Sequence, residues 1–458
     1  MPPDHAPRRT AVGSARRAMT TAPAPSPAPL VVAVDMGYGH LRAASALADA
    51  LGTEVLKVDR APVAGPEEER LWQRVRRGYE AISRLSQVPV AGRPLAWALD
   101  SITDIPRLHP RRDLSAPTRG VRALERLARG ALGAGLVARL RAEGAPLLTT
   151  FYSPAVVADR AGIERVYCVA TDTDLNRIWA PLEPARTRIQ YLVPTRRAAR
   201  RLLAYGVPAH RITFTGFPLP DALLGGPSLP VLKRNLAARL VRLDPTGEFR
   251  RSMPEELAVF LGALPREEEG KPAQLTFAVG GAGAQAAMAD AFLPGLRPAL
   301  ESGAMRLALV AGTRPEVEAR FREALRRAGL EPLLGGAVEI LRAPSFGEYY
   351  ARFNALLART DVLWTKPSEL TFYGALGLPL VLAPPVGVHE RYNRRWARES
   401  GAGLKQRDAR FAAEWLSDWL ADGLLAAAAW AGYMRLPKFG LYRVLEALGR
   451  TPAANVAP

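Results

Sequence analysis

The sequence predicts an α/β protein made of two Rossmann-like βαβ domains that face each other across a cleft. Three observations lead there. Short apolar, β-branched runs alternate with amphipathic Ala/Leu-rich stretches, the pattern of parallel strands joined by helices. Two of these runs, at 31–34 and 275–279, break into glycine turns and resume as helices: Gly37-Tyr38-Gly39 follows the first and Gly280-Gly281-Ala282-Gly283 the second. The chain has 458 residues, too many for one ordinary core, so two domains of roughly 200 residues are expected.

Residues 1–29 carry Arg8, Arg9, Arg16 and Arg17 followed by a Pro/Ala/Ser run, and read as a disordered basic tail. The first domain is placed at 30–220. It opens with strand Val31–Val34 and a helix to Leu51, then strand 54–58. A basic amphipathic helix over 70–87 has Leu71, Val75, Tyr79 and Ile82 on one face and Trp72 beside it. Residues 88–118 hold five prolines, Trp97 and the cluster Arg107, Arg111, Arg112, and read as a long irregular segment. One helix over 119–143 follows, then strands at 147–151, 166–170, 189–193 and from 212. Residues 221–272, rich in Pro and Gly and with a charged helix-like piece at 232–243, read as a linker and insertion. The second domain, 273–435, has strands at 275–279, 307–311, 338–341, 361–364 and 380–383. It closes on helices carrying Trp415, Trp419, Trp430 and Tyr433 at core spacing. A C-terminal helix and tail, 436–458, is expected to cross back to the first domain.

Composition narrows the function. Hydrophobic residues make up 48% of the chain and the formal net charge is +18, with arginine far exceeding lysine. Such a charge attracts phosphorylated substrates, anionic membranes or nucleic acid, and no nucleic-acid recognition module accompanies it, so nucleic acid is not expected as a partner. The single cysteine, Cys168, lies in an apolar strand-like run; it excludes an intrachain disulfide or a cysteine-based zinc site and fits a cytoplasmic location. No apolar run approaches the roughly 20 residues needed to span a bilayer. Peripheral attachment at the inner membrane face, through the basic residues of 70–130, is the expectation.

A strand, glycine turn and helix start form a recurrent phosphate cradle, since free N–H groups and the positive helix end meet where no Cβ intrudes. Gly37 and Gly39 fit it, as does the 280–283 turn. His40 begins the first helix and faces the sheet edge. Thr171-Asp172-Thr173-Asp174-Leu175-Asn176 leaves a predicted strand at its carboxyl end, where α/β proteins place ligands. Asp172 and Asp174 have alternative readings as an active-site base or as turn caps.

The ordered motifs resemble one branch of the two-domain, GT-B type glycosyltransferases: the monogalactosyldiacylglycerol synthases, the processive diacylglycerol glucosyltransferases and the peptidoglycan N-acetylglucosaminyltransferase. Gly37-Tyr38-Gly39-His40 with Ala43-Ala44 is similar to that branch's opening motif, and Asp172 to Trp179 to its Asp…His…Trp segment. Ile212 to Pro218, Gly280 to Gly283, Lys366-Pro367 with Leu370-Thr371, and Gly387 to Asn393 follow in the right order. The resemblance implies a nucleotide-sugar site, UDP-linked, without cofactor or metal. Gly280, Gly281, Ala282 and Gly283 would face the diphosphate; Lys366, Glu369, Thr371, His389, Glu390 and Asn393 complete the donor side. Gly37, Gly39, Asp174 and Asn176 form the acceptor-side or phosphate loop. His40 or Asp172 is the implied base. Three positions depart from the pattern: Asn176 replaces a histidine, Ser368-Glu369 replaces Gly-Gly, and Gly374 stands where a ribose-binding carboxylate is expected, with Glu369 a possible substitute.

The resulting expectation is a metal-independent glycosyltransferase moving a sugar from a nucleotide diphosphate to a lipid or membrane-associated acceptor. Its alternatives are a nucleotide-sugar epimerase of the same fold and a non-catalytic nucleotide- or lipid-binding relative.

Overall fold

The structure, a computed structural model, describes residues 27–74, 104–279, 285–385 and 387–451. The first sheet contains β1 (Leu30–Ala33), β2 (Val55–Lys57), β3 (Leu147–Thr149), β4 (Val166–Val169), β5 (Gln190–Val193) and β6 (Ile212–Phe214). Its order is β2-β1-β3-β4-β5-β6. The second contains β7 (Ala273–Ala278), β8 (Met305–Gly312), β9 (Val338–Arg342), β10 (Val362–Thr365), β11 (Leu380–Leu382) and β12 (Gly403–Lys405), in the order β12-β11-β10-β7-β8-β9. All neighbouring strands are parallel. The predicted architecture of two doubly wound α/β domains is therefore the one observed.

Strand composition follows from this arrangement. Helices cover both faces of a parallel sheet, so central strands are apolar throughout rather than alternating. Every residue of β7 and β10 is buried. Phe277 on β7 lies opposite Trp364 on β10, and their rings meet edge-on at 5.5 Å. Trp364 is fully buried and also meets Trp415 at 5.3 Å, so the aromatic residues of the closing helices are core, as expected. Cys168 is likewise buried in β4, and burial pushes its thiol pKa far up. β12 was not anticipated: its three residues, Gly403-Leu404-Lys405, carry too short an apolar pattern to read.

Two expected elements differ. The single helix over 119–143 is two, Arg119–Arg129 and Ala134–Glu143. Gly133 adopts φ +79°, a conformation that favours glycine, and a Cβ there would lie 2.4 Å from Val157 Cγ1. The N–H groups of Gly133 and Gly135 donate to Glu68, 2.7 and 3.2 Å away, so the break is anchored. In the region 221–272 the helix-like piece at 232–243 is the helix Pro230–Arg242, and three further helices, Asp221–Leu224, Glu248–Ser252 and Pro254–Leu261, were not expected. Leu232, Leu236 and Leu240 join the core of the second domain. The helix Gly440–Ala447 returns to the first sheet, where Leu441, Val444 and Leu445 pack with Val31, Leu148 and Val169.

Trp72, expected on a membrane-facing side, is instead buried in the first core, with its indole N–H donating to Glu68 at 3.2 Å. Trp97 and most of the predicted 70–87 helix lie outside the described residues; 66–74 are helical. Among the described residues no helix is long and apolar enough to cross a membrane.

Candidate functional site

In each sheet the strand order reverses at one point, β1/β3 in the first and β7/β10 in the second, and ligands of open α/β sheets bind beyond the carboxyl ends there. The candidate residues belong to loops at these two points. Helix Tyr38–Leu51 starts just past β1, with Gly37 at φ +141° making the turn. His40 lies in its first turn and reaches across to the loop after β3. His40 Nδ1 is 2.8 Å from the Thr150 carbonyl, and Thr150 Oγ1 donates back to the His40 carbonyl at 2.9 Å. A carbonyl only accepts, so Nδ1 carries the proton and Nε2 keeps its lone pair. The Thr171 hydroxyl stands 3.0 Å from the same Nδ1. Phe151 and Trp179 wall the ring, with centroids at 4.6 and 6.4 Å.

Burial lowers the His40 pKa below its ordinary value. Asp172, the Thr150 carbonyl and Glu369 pull the other way, and His389 adds to the lowering. The imidazole is thus neutral near pH 7 and sits within the field of a carboxylate that favours its protonated form, which is the setting of a general base.

Asp172 is oriented from the second domain. Asn393, fully buried, donates through Nδ2 to Asp172 Oδ1 at 3.1 Å and to the Pro367 carbonyl at 3.2 Å. Its Oδ1 accepts from the Thr173 N–H at 3.0 Å and the Thr173 hydroxyl at 2.8 Å. All four amide sites are used, which fixes the amide orientation. Asn393 is therefore a rivet between domains rather than a group free to meet a donor.

On the second sheet, Lys366 follows β10 and its Nζ lies 2.7 Å from Glu390 Oε1. Glu390 occupies the first turn of helix Val388–Glu399, where the helix dipole favours a carboxylate. His389 folds back over Gly387; a Cβ on Gly387 would be 2.8 Å from its Cε1. Gly280, Gly281, Ala282 and Gly283 lie outside the described residues. Gln285, just beyond them, donates to the Pro384 carbonyl at 3.1 Å while its Oε1 is buried without a partner.

Several predicted site residues are committed elsewhere. Asp174 is buried and held bidentately by Arg201, at 2.8 and 3.0 Å, and Arg201 reaches the Pro106 carbonyl at 2.5 Å. It anchors the 104–106 segment rather than serving a phosphate loop. Glu369 is buried and pairs with Arg42, which is 1% exposed and also donates to the Tyr349 hydroxyl. That carboxylate also sits against Gly39, where a Cβ would lie 2.9 Å from Glu369 Oε2. Gly39 and Glu369 therefore face each other across the domains, while Gly37 has open space beside it. Thr371 is buried and donates to the Ser368 carbonyl at 2.8 Å within its own 3-10 helix, Glu369–Leu376. A Cβ on Gly374 would lie 3.0 Å from Ala402 Cβ and 3.1 Å from Leu436 Cδ1, and the Gly374 carbonyl would lie 2.3 Å from any Cβ on Gly432 of helix Leu424–Arg435. No carboxylate fits there. Asn176 has its Oδ1 buried without a partner.

Sequence reasoning missed Thr150, Arg42 and the Tyr38–Thr313 contact. Tyr38 hydroxyl lies 2.7 Å from Thr313 Oγ1 and accepts the Thr313 N–H at 2.9 Å. Arg42 had one visible signal, a cation flanked by Leu41 and Ala43 in an otherwise apolar helix start. Thr150 had none beyond its place after a strand. Among the described residues no group of three His, Cys, Asp or Glu side chains is disposed to hold a metal.

No family model matches the sequence, and no curated protein matches it. Solved structures are similar at low identity. MurG of Acinetobacter baumannii is 12% identical over 92% of this chain and 99% of that one, with a TM-score of 0.47. A glycosyltransferase from Rickettsia africae is 11% identical over 92% and 97%, at 0.41. The UDP-GlcNAc 2-epimerase of Methanocaldococcus jannaschii is 12% identical over 91% and 98%, at 0.43. At these values they decide nothing about chemistry, which has to be argued from the side chains.

Proposed function

We propose that the cleft binds a nucleotide sugar, UDP-linked, and that the protein is a glycosyltransferase acting on a lipid or membrane-associated hydroxyl. The observation that carries this reading is His40: its Nδ1–H is pinned to the Thr150 carbonyl, which leaves Nε2 as a base at the switch point of the first sheet. In the proposed reaction an acceptor hydroxyl gives its proton to Nε2 as its oxygen bonds to the sugar's anomeric carbon. The bond from that carbon to the diphosphate breaks, and the nucleoside diphosphate leaves. Asp172 stabilises the imidazolium so formed. Lys366 faces the departing charge, a role electrostatic preorganisation makes large. The acceptor side is assigned to the first domain, where Arg107, Arg111 and Arg112 are exposed and would meet an anionic surface.

A second reading has its own support. Two imidazoles, His40 and His389, act electrostatically on one another close to Asp172, and an epimerase needs several acid/base groups in one cleft. Calorimetry with UDP, ADP and GDP on wild type and Lys366→Ala tests the shared premise. Selective UDP binding, weakened in the variant, supports it; no nucleotide binding leaves the non-catalytic reading. Incubating a UDP-sugar without acceptor then separates the two enzymes, since only an epimerase converts it to an isomeric UDP-sugar. Co-sedimentation with anionic vesicles tests the membrane-side assignment, which is lost if the protein stays in solution.

A further inference from the structure

A cavity of about 490 Å³ opens at the other end of the first sheet, near the amino ends of β4, β5 and β6 and the returning helix Gly440–Ala447. Arg165, Arg188, Arg211 and Arg443 line it, with Glu164 and Glu446. Exposed arginines elsewhere commonly pair with a carboxylate, as Arg139 with Glu143 and Arg395 with Glu399. Among the described residues none of these four has an ion-pair partner, although two carboxylates line the same space.

Three of the four are held by backbone instead. Arg165 donates to the Gly144 carbonyl at 2.7 Å, Arg211 to the Arg188 carbonyl at 3.2 Å and Arg443 to the Thr215 carbonyl at 3.4 Å. A carbonyl orients a guanidinium without neutralising it. Arg211 Nε is also buried without a partner. Four positive forks thus converge on a space of ligand size with unspent donors.

We propose that this cavity binds a phosphate-bearing ligand, with Arg165, Arg188, Arg211 and Arg443 as its clamp. A dianionic phosphoryl group matches the guanidinium fork and outweighs the two local carboxylates. The site bridges parts of the chain far apart in sequence, because Arg443 rides on the helix that follows the second domain while the others border the first sheet. Ligand bound there holds that helix onto the sheet and adds to the packing of Leu441, Val444 and Leu445.

The phosphoryl group can belong to a soluble compound or to a lipid headgroup, and two probes separate these sources. The full chain is titrated with inorganic pyrophosphate by calorimetry in 50 mM salt, and co-sedimented with phosphatidic acid vesicles against phosphatidylcholine vesicles. The variants are Arg188→Glu/Arg443→Glu, both exposed positions whose change removes no core packing, the conservative Arg188→Lys/Arg443→Lys, and Arg234→Glu as an exposed control elsewhere. Lys366→Ala excludes binding in the interdomain cleft. Saturable binding that falls at least about tenfold in the double reversal, and persists in the lysine, Arg234 and Lys366 variants, is expected. Response to pyrophosphate assigns a soluble ligand; response to the vesicles alone assigns a headgroup. Binding of neither probe, or binding that survives the double reversal, overturns the proposal.

Discussion

Glu369→Gln tests whether that carboxylate holds the domains together or waits for a ribose. In the structure its partner Arg42 is 1% exposed, and the Glu369 side chain is 10% exposed. Burial alone lowers the Arg42 pKa; the Tyr349 hydroxyl and the Glu369 carboxylate more than reverse this and hold it above the ordinary value. Tyr38, Tyr349 and Phe353 surround the guanidinium with ring centroids at 5.5, 5.3 and 4.8 Å. The amide keeps the shape and one acceptor but leaves the buried cation uncompensated. Breaking a buried pair this way costs about 3–5 kcal/mol, and the retained acceptor favours the lower end. With a urea dependence of about 3 kcal/mol per M, the midpoint falls by roughly 1 M. Arg42→Met/Glu369→Gln removes the orphaned charge as well and recovers most of that loss. Urea titration followed by tryptophan fluorescence reads both variants, and UDP calorimetry accompanies it. A Glu369→Gln midpoint within 0.2 M of wild type (roughly 0.6 kcal/mol at the same dependence), together with lost UDP binding, would refute the reasoning and restore Glu369 to the donor site.

Three further outcomes are expected. His40→Gln lowers turnover by about 10²–10⁴-fold with UDP affinity unchanged. In wild type the rate falls as pH drops through the His40 pKa, which lies below 6.5 because burial disfavours the charged ring; stability falls in the same direction, since below pH 6.5 the unfolded chain takes up that proton first, and His40→Gln removes this part of the slope. Arg201→Met leaves the buried Asp174 with Arg197, 3.8 Å away, as its remaining cation, costs about 3 kcal/mol in urea titration, and loosens the 104–106 segment to proteolysis. Gly432→Ala drives a methyl to 2.3 Å from the Gly374 carbonyl and costs about 1–3 kcal/mol, read as a lower melting temperature.

The fold was legible because its signal is local and repeated. The apolar runs at 31–34, 147–151, 275–279 and 361–364 are strands buried on both faces, and no other pattern accommodates them so well. The break at Gly130–Gly133 was not legible, because it depends on Glu68 and Val157, which only the folded chain brings near. In the candidate site, the placement of His40, Asp172, Lys366 and Glu390 beyond strand ends could be read, though not their roles. Asp174 could not be told from Asp172: both follow β4, and the difference lies in Arg201, a buried arginine on a helix that looked merely basic. Asn393 carried a motif position, yet its four hydrogen bonds are a property of two loops meeting across the domains.

Of the positions that depart from the expected motif pattern, Glu369 and Gly374 each have a matched counterpart far away in sequence, whereas Asn176 Oδ1 and Ser368 Oγ are buried without a partner. Glu369, in place of a glycine, needs a cation and a bare backbone beside it, and Arg42 and Gly39 supply them. Gly374, in place of a carboxylate, lies so close to helix Leu424–Arg435 that only Gly432 fits opposite. The first contact crosses from the second domain to the helix that carries His40, and the second lies within the second domain; neither involves the His40–Thr150 hydrogen bond. Variants at Glu369 and Gly374 are therefore expected to alter stability, read by urea titration.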